Sequence, residues 1–456
     1  MFERMRRTWL LVGVLVLTGS VIGLAIVQYL MPPSFDNPPA ANHAGVVHFR
    51  TVISAADVTP LSVPAFLWIF RLLLAAAWIG YGMILSIAYR YGTGIGRYSL
   101  PIIGGCALAM ALLFPPSLSS DVYAYAGWGR MAVLYDLSPY FHTLRSVAEL
   151  GDPAGLIAPV GASTTHGPVW IALVTALVSG LGGAGLWVQV VALKLLAGVA
   201  LLVAAISGRE IARFYDPRRA DLALLAIGFN PVFLIEGPGN GHNDVLMVAL
   251  MLAGIALCQK RRPRIGHLLV GLSIGIKFVT AAVVPWLLIE LVRQRPHRRL
   301  AATALALGLT LAPTLIGYAA FRVHTNALAG IKAVFEHQLA GMEGTASTAE
   351  SGSIATSSTA SVSASILPRV GVLLVVYAVL SLAVWRSSVA GMYLSCWALF
   401  TLTLIVIGAP VAFAWYMIWP FSASLVRWDK YGIIISSACA VLSIFLLGRY
   451  TVLYLR

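Results

Sequence analysis

The residues best suited to chemistry are polar groups set at the ends of apolar runs. The first is SLSSDVYAYAGWGRM, residues 117–131, directly after a run that could cross a bilayer. On a helix, Asp121, Tyr125 and Trp128 fall near one face. Aromatic rings and a carboxylate at a membrane edge suit a sugar: the rings stack on its apolar face, and the acid binds or deprotonates a hydroxyl. The competing reading is an aromatic belt whose SSD caps a helix, and on this segment alone it is the preferred one.

The second group is NPVFLIEGPGNGHND, residues 230–244, which carries Asn230, Glu236, Asn240, His242, Asn243 and Asp244 between two apolar spans. Polar residues this dense at a membrane edge are costly and mark a functional site. The GPGNG core permits tight turns beside a ligand. For Asn243 alone, capping of the following helix would explain the residue. The third group is ASTTHGPVW, residues 162–170, where His166 precedes a proline-started helix. The fourth is GIKFVTAAVVP, residues 275–285, where Lys277 sits inside an apolar run and needs an acid, a carbonyl array or a phosphate. A lipid phosphate is the reading adopted, with an internal ion pair as the alternative. Lys194 poses the same question. The last group is GAPVAFAWYMIWP, residues 408–420, where Trp415, Tyr416 and Trp419 stack on sugar, hold a lipid chain or form a belt.

The elements that must position these groups are membrane helices. The chain of 456 residues is 59% apolar and 11% charged, against roughly 25% charged in soluble domains. Its apolar runs have the length of a bilayer core and lack barrel alternation, so an all-α polytopic membrane protein is expected. The net charge of +14 would suggest nucleic acid in a soluble protein. Here the basic residues cluster in short connections such as KRRPR at 260–264, the positive-inside pattern of cytoplasmic loops, and nucleic acid is excluded. Cys106, Cys258, Cys396 and Cys439 lie in or beside apolar runs without metal spacing, so neither disulfides nor zinc are expected. The run 9–30 reads as a retained first helix rather than a cleaved leader.

Two runs, 186–214 and 265–292, are long for one helix and short for two. Basic residues flank both ends of 265–292, so that segment should enter and return as a hairpin with Lys277 at its outer tip. The same count makes 186–214 a second hairpin, for about 13 membrane helices within a range of 11–15; a long tilted helix in each place is the alternative. The segments expected are 1–97, membrane helices and an outer cover loop; 98–320, the membrane core; 321–367, an outer flexible Ser/Thr-rich loop; and 368–456, the last membrane helices. The run 344–365 serves as either a lid or a linker. No Walker, GxGxxG, HExxH or DxD pattern and no Ser-His-Asp order occurs. An outward-facing site meets no nucleotide sugars, so a glycosyl donor there would be lipid-linked. A lipid-linked-sugar transporter or flippase would use the same polar residues, but as a continuous path across the membrane.

Together the motifs resemble the GT-C superfamily, and within it the polyprenol-phosphate-mannose-dependent α-1,6-mannopyranosyltransferases of actinobacteria. The resemblance rests on Ser120–Tyr125 (SDVYAY), His166-Gly167-Pro168, Asn230-Pro231, Gly241–Met247 (GHNDVLM) and Lys277, within residues 98–425. HGP replaces the family's usual YGP, and the Ser/Thr-rich loop is unusual. The resemblance implies a GT-C fold in a bacterial cell membrane, with the site on the extracytoplasmic face. It implies transfer of a hexose, mannose first, from a polyprenyl phosphate to a glycan or glycolipid, with inversion and no metal or other cofactor. Asp121 would be the base. Lys277 and His242 would hold the phosphate. Tyr123, Tyr125, Trp128, His166, Glu236, Asn240, Asn243, Asp244, Trp415 and Tyr416 would line the substrate.

Overall fold

A computed structural model describes residues 2–30, 60–91, 96–116, 118–158, 161, 163–294, 299–321, 359–408 and 412–453. Every element among them is helical. The cover loop at 31–59 and the Ser/Thr-rich run as far as residue 358 lie outside the described residues, whereas 359–365 opens a helix.

Among the described residues, six helices are long and apolar enough to cross a bilayer. They are α1 (Phe2–Gln28), α2 (Val63–Tyr91), α8 (Leu186–Tyr215), α14 (Arg299–Ala320), α15 (Thr359–Arg386) and α18 (Lys430–Leu453). The others are shorter. They are α3 (Gly96–Leu113), α4 (Asp121–Leu134), α5 (Leu144–Ala148), α6 (Pro153–Ile157), α7 (Pro168–Leu181), α9 (Ala220–Gly228), α10 (Pro231–Leu234), α11 (Asp244–Gln259), α12 (Pro263–Ile274), α13 (Val284–Gln294), α16 (Met392–Thr403) and α17 (Ile418–Ser424). The count of about thirteen treated several of these short or broken runs as spans. The chain from Pro217 to Gly239 is one such run, bent by 46°, and would make a seventh span.

The bend has a local cause. Proline disfavours helical backbone in the residue before it, and Asn230 is extended ahead of Pro231. The Asn230 side chain accepts from the amide of Val232 and donates to the Tyr81 hydroxyl, which donates to the carbonyl of Ala226. A residue of α2 thereby pins the break. A π-helical turn, Ile235–Gly239, then delivers the chain to the GHND turn; such turns interrupt helices mainly at functional sites.

The two awkward runs separate. The 265–292 segment does turn back: α12 climbs to a break at Lys277, and a 3₁₀ turn (Phe278–Val283) and α13 return. His267 near its start and Leu291 near its end line the same cavity. The 186–214 segment is not a hairpin, which corrects the expectation. It is the single 30-residue helix α8, about 45 Å long at 1.5 Å per residue. The parity count failed because α7 does not carry the chain across. α7 runs beside α4 in the same direction, with Val174 against Gly129. α8 alone then makes the crossing. Its lysine, Lys194, is fully buried and donates to the carbonyl of Phe114 just past α3, where a helix end leaves carbonyls unsatisfied and favours a cation.

Candidate active site

Four chain segments converge. The first turn of α4 brings Asp121, and the turn between Gly239 and α11 brings His242, Asn243 and Asp244. The break after α12 brings Lys277. A 3₁₀ turn, Ala414–Met417, with α17 brings Trp415, Tyr416 and Trp419. Gly241 makes the close approach possible. Its φ is +77°, and a Cβ there would lie 2.7 Å from Val122 on α4. A second glycine contact docks α7: the amides of Gly167 and Val169 donate to the carbonyls of Ile276 and Gly275, and a Cβ on Gly167 would lie 2.3 Å from the Gly275 oxygen. This explains the glycine of HGP and fixes His166 beside the site.

His242 is the centre. It is fully buried, with Nδ1 3.4 Å from Asp121 Oδ2 and Nε2 3.4 Å from Glu236 Oε2. The contacts are ion pairs rather than aligned hydrogen bonds. Its ring stacks on Trp415 at 4.1 Å, which stacks on Phe413 at 4.3 Å. Burial would lower the imidazolium, but Asp121 and Glu236 hold it up at about 9. Burial would likewise raise the Asp121 carboxyl, and the charge of His242 holds it down at about 2. The resting pair is therefore carboxylate and imidazolium. Glu236 is also fully buried and accepts from Asn240, whose own oxygen accepts from the amide of Leu118. Asn240 thus braces Glu236 and ties the turn to the chain before α4.

Asp244 and Lys277 form the second charge pair. Nζ lies 2.8 Å from both carboxylate oxygens, and Trp419 Nε1 donates to Oδ1 at 2.5 Å. The internal ion pair, the alternative reading of Lys277, is present. An ammonium has three donors; two go to Asp244, and the side chain keeps 21% exposure. Tyr416 and Trp419 each lie 5.7 Å from it in cation–π range.

The aromatic wall follows from α4. Tyr125 donates to Asn243 Oδ1 at 3.4 Å and packs against Trp128, His166 and Trp170. Asn243 therefore serves this contact, and its side chain does not cap α11. Asp121 is likewise the first residue of α4 rather than its cap, and Ser120 makes no side-chain capping bond. Burial lowers His166 to about 3, so the ring is neutral, and its Nδ1 is buried without a hydrogen-bond partner.

The structure thus gathers around Asp121 eleven of the twelve positions expected to line the substrate or hold its phosphate. Tyr123 is the exception: two residues along the helix it points away from Asp121 and is fully buried. Sequence reasoning gave Trp419 a sugar-stacking, lipid-holding or belt role, whereas it donates to Asp244. It also passed over Trp170, Phe413, and Arg130, which pairs with Asp152 at 2.8 Å and anchors the far end of α4. The spacing of Trp415 and Trp419, one turn apart, was the available signal for the latter's placement. Among the described residues no group of His, Cys, Asp and Glu is arranged to hold a metal. The accessible face of the cluster is Asp121, its side chain 40% exposed.

Residues 11–293 match the family described as alpha-(1->6)-mannopyranosyltransferase, N-terminal domain. The chain is similar to Alpha-(1->6)-mannopyranosyltransferase A of Mycobacterium tuberculosis, 32% identical over 288 residues, which is 58% of this chain and 50% of the relative. It is also similar to the protein of that name from Corynebacterium glutamicum, 29% identical over 237 residues, 48% of this chain and 45% of the relative. The chain spans about half the length of these relatives. No solved structure matches it. The matched segment holds Asp121, Glu236, His242, Asp244 and Lys277, while the Trp415–Trp419 wall lies beyond it.

Proposed function

This chain belongs to the alpha-(1->6)-mannopyranosyltransferase family, and from that premise we propose that it transfers mannose from a polyprenyl-phosphate donor to a glycan or glycolipid. The site faces the extracytoplasmic side, and the anomeric centre is inverted. The observation that carries this reading is the partly exposed Asp121 carboxylate, ion-paired to a buried imidazolium and set beside a lysine and a wall of stacked aromatics.

The acceptor oxygen attacks the anomeric carbon from the face opposite the phosphate. The bond from that carbon to the phosphate oxygen breaks, and its electron pair leaves with the phosphate. The acceptor proton passes to Asp121. A carboxylate at about 2 is a weak base for a free alcohol. It takes the proton only once bond formation has made that hydroxyl acidic, so departure of the phosphate leads. Phosphate is a good leaving group and needs no strong general acid. Lys277, fixed by Asp244, directs its remaining donor and charge at the leaving oxygens, and His242 adds positive charge behind Asp121. No metal is needed in this scheme. Trp415, Tyr416, Tyr125 and Trp128 hold the sugar and lipid, and neutral His166 supplies a hydrogen bond to a sugar hydroxyl. Fixed positioning supplies the rest of the acceleration.

The test is incubation of the purified protein in vesicles with radiolabelled polyprenyl-phosphate mannose, glucose or arabinose and candidate acceptors. Mannosyl product from the wild type, lost in Asp121→Asn, is expected. Lipid-linked sugar crossing the bilayer with no product would replace this reading with a flippase.

A further inference from the structure

At the far end of α11 from Asp244, about 24 Å along its 16 residues, the loop Lys260–Arg262 turns back into α12, which Pro263 and Arg264 begin. Here a cavity of about 440 Å³ lies between the start of α12, the end of α13 and the start of α14. One wall is Arg261, Arg262 and Arg264; the other is apolar, with Leu291, Leu305 and Leu309.

The neighbouring basic residues have acidic partners: Arg209 with Asp221, Lys260 with Glu210, Arg293 with Glu290, and Arg427 with Asp429. Arg261, Arg262 and Arg264 make no ion pair among the described residues, and no acid lines their cavity. A second cavity of about 620 Å³ shares Arg261 and Leu291 and does carry an acid, Glu290, but Arg293 occupies that carboxylate. The apolar wall opens toward the outer face of α14, where Leu305 is 45% and Leu300 86% exposed. Arg261 also holds a left-handed backbone, φ +59°, at a helix end where glycine is the usual residue.

We propose that this cavity binds an anionic phospholipid. The three guanidinium groups take the headgroup phosphate, and an acyl chain lies along Leu305 and Leu309. Positive charge without acidic partners, at the end of an apolar groove between membrane helices, complements that amphiphile and matches neither a soluble anion nor a zwitterionic lipid. The site is separate from the proposed transfer centre, so its test stands apart from that function.

Native mass spectrometry of the full chain in detergent, titrated with phosphatidylglycerol or phosphatidylcholine, reads the site. The wild type should prefer phosphatidylglycerol by about tenfold or more, and millimolar inorganic phosphate should not displace it. The variant R261G/R262Q/R264Q should lose the preference. Arg261→Gly alone suits the left-handed backbone and leaves the fold intact, so it should weaken retention even if the triple variant fails to fold. Equal adducts of the two lipids on the wild type would overturn the proposal. So would displacement by free phosphate, or preference unchanged in folded R261G and R261G/R262Q/R264Q.

Discussion

His242 decides how the acidic residues around it behave. One ring nitrogen faces Asp121 and the other Glu236, both at 3.4 Å, and the ring cannot swing out because Trp415 stacks on it. With Asp121 at about 2 and His242 at about 9, both are charged across the neutral range. Activity should therefore be flat through neutral pH and fall as pH rises through about 9, where His242 loses its proton. A pH profile of kcat/KM checks this, and His242→Gln should remove the alkaline limb while lowering the plateau; the same limb in that variant would assign it elsewhere. The sign carries over to stability. A histidine raised above its usual 6.5 stabilises the fold fully below that pH, and the contribution is lost as pH climbs through about 9. Asp121→Asn should cost about a hundredfold or more in kcat with thermal stability little changed, because a general base contributes that much and the side chain is partly exposed.

Breaks in helices, rather than the long helices, deliver the site. Asn230-Pro231 bends one apolar run on its way to the site, and the π-helical turn, Gly241 and the Lys277 break then bring the polar residues to Asp121. The Asp244–Lys277 pair ties α11 to α12 there, with Asp244 buried and Lys277 mostly so. Lys277→Met should cost about 3 kcal/mol of stability, since it strands a buried carboxylate. Adding Asp244→Leu should restore much of that stability without restoring activity. Thermal unfolding and turnover measured on both variants separate the two roles, and recovery of turnover in the double variant would make the pair purely structural. At the α7 dock, Gly167→Ala forces a Cβ into the Gly275 carbonyl and should cost about 1–3 kcal/mol. Thermal unfolding measures it, with Gly180→Ala, which has open space around it, as the control.

Across the whole molecule, charge separates from chemistry. The reactive cluster sits at one end of α11 and the arginines of 260–264 at the other. On the proposed reading the arginine end faces the cytoplasm, as the positive-inside pattern of its loop expects. Cysteine-accessibility labelling should find residue 161 and the exposed Asp121 position reachable from outside, and residue 261 only from inside. Labelling of positions 121 and 261 from the same side would remove the topological basis of the proposed lipid-linked donor.

The amino-acid sequence by itself determined the all-helical membrane class, the turn-back at Lys277 and the polar segments that the fold brings together. Apolar run length, basic loops and polar residues stranded at membrane edges are local signals, and each has a direct solvation cost. It left open whether Asp121 caps or reacts, whether Lys277 meets phosphate or acid, and whether 186–214 turns. Those depend on partners distant in sequence, 121 residues away for Asp121 and 33 for Lys277, or, for α8, on where α7 leads the chain. Only packing brought Asp121 to His242 and set Trp419 on Asp244. The physical reason is that a helix fixes which residues share a face, while the contact between faces is fixed by close approach at positions such as Gly241 and Gly167, where only the absence of a side chain lets two segments meet.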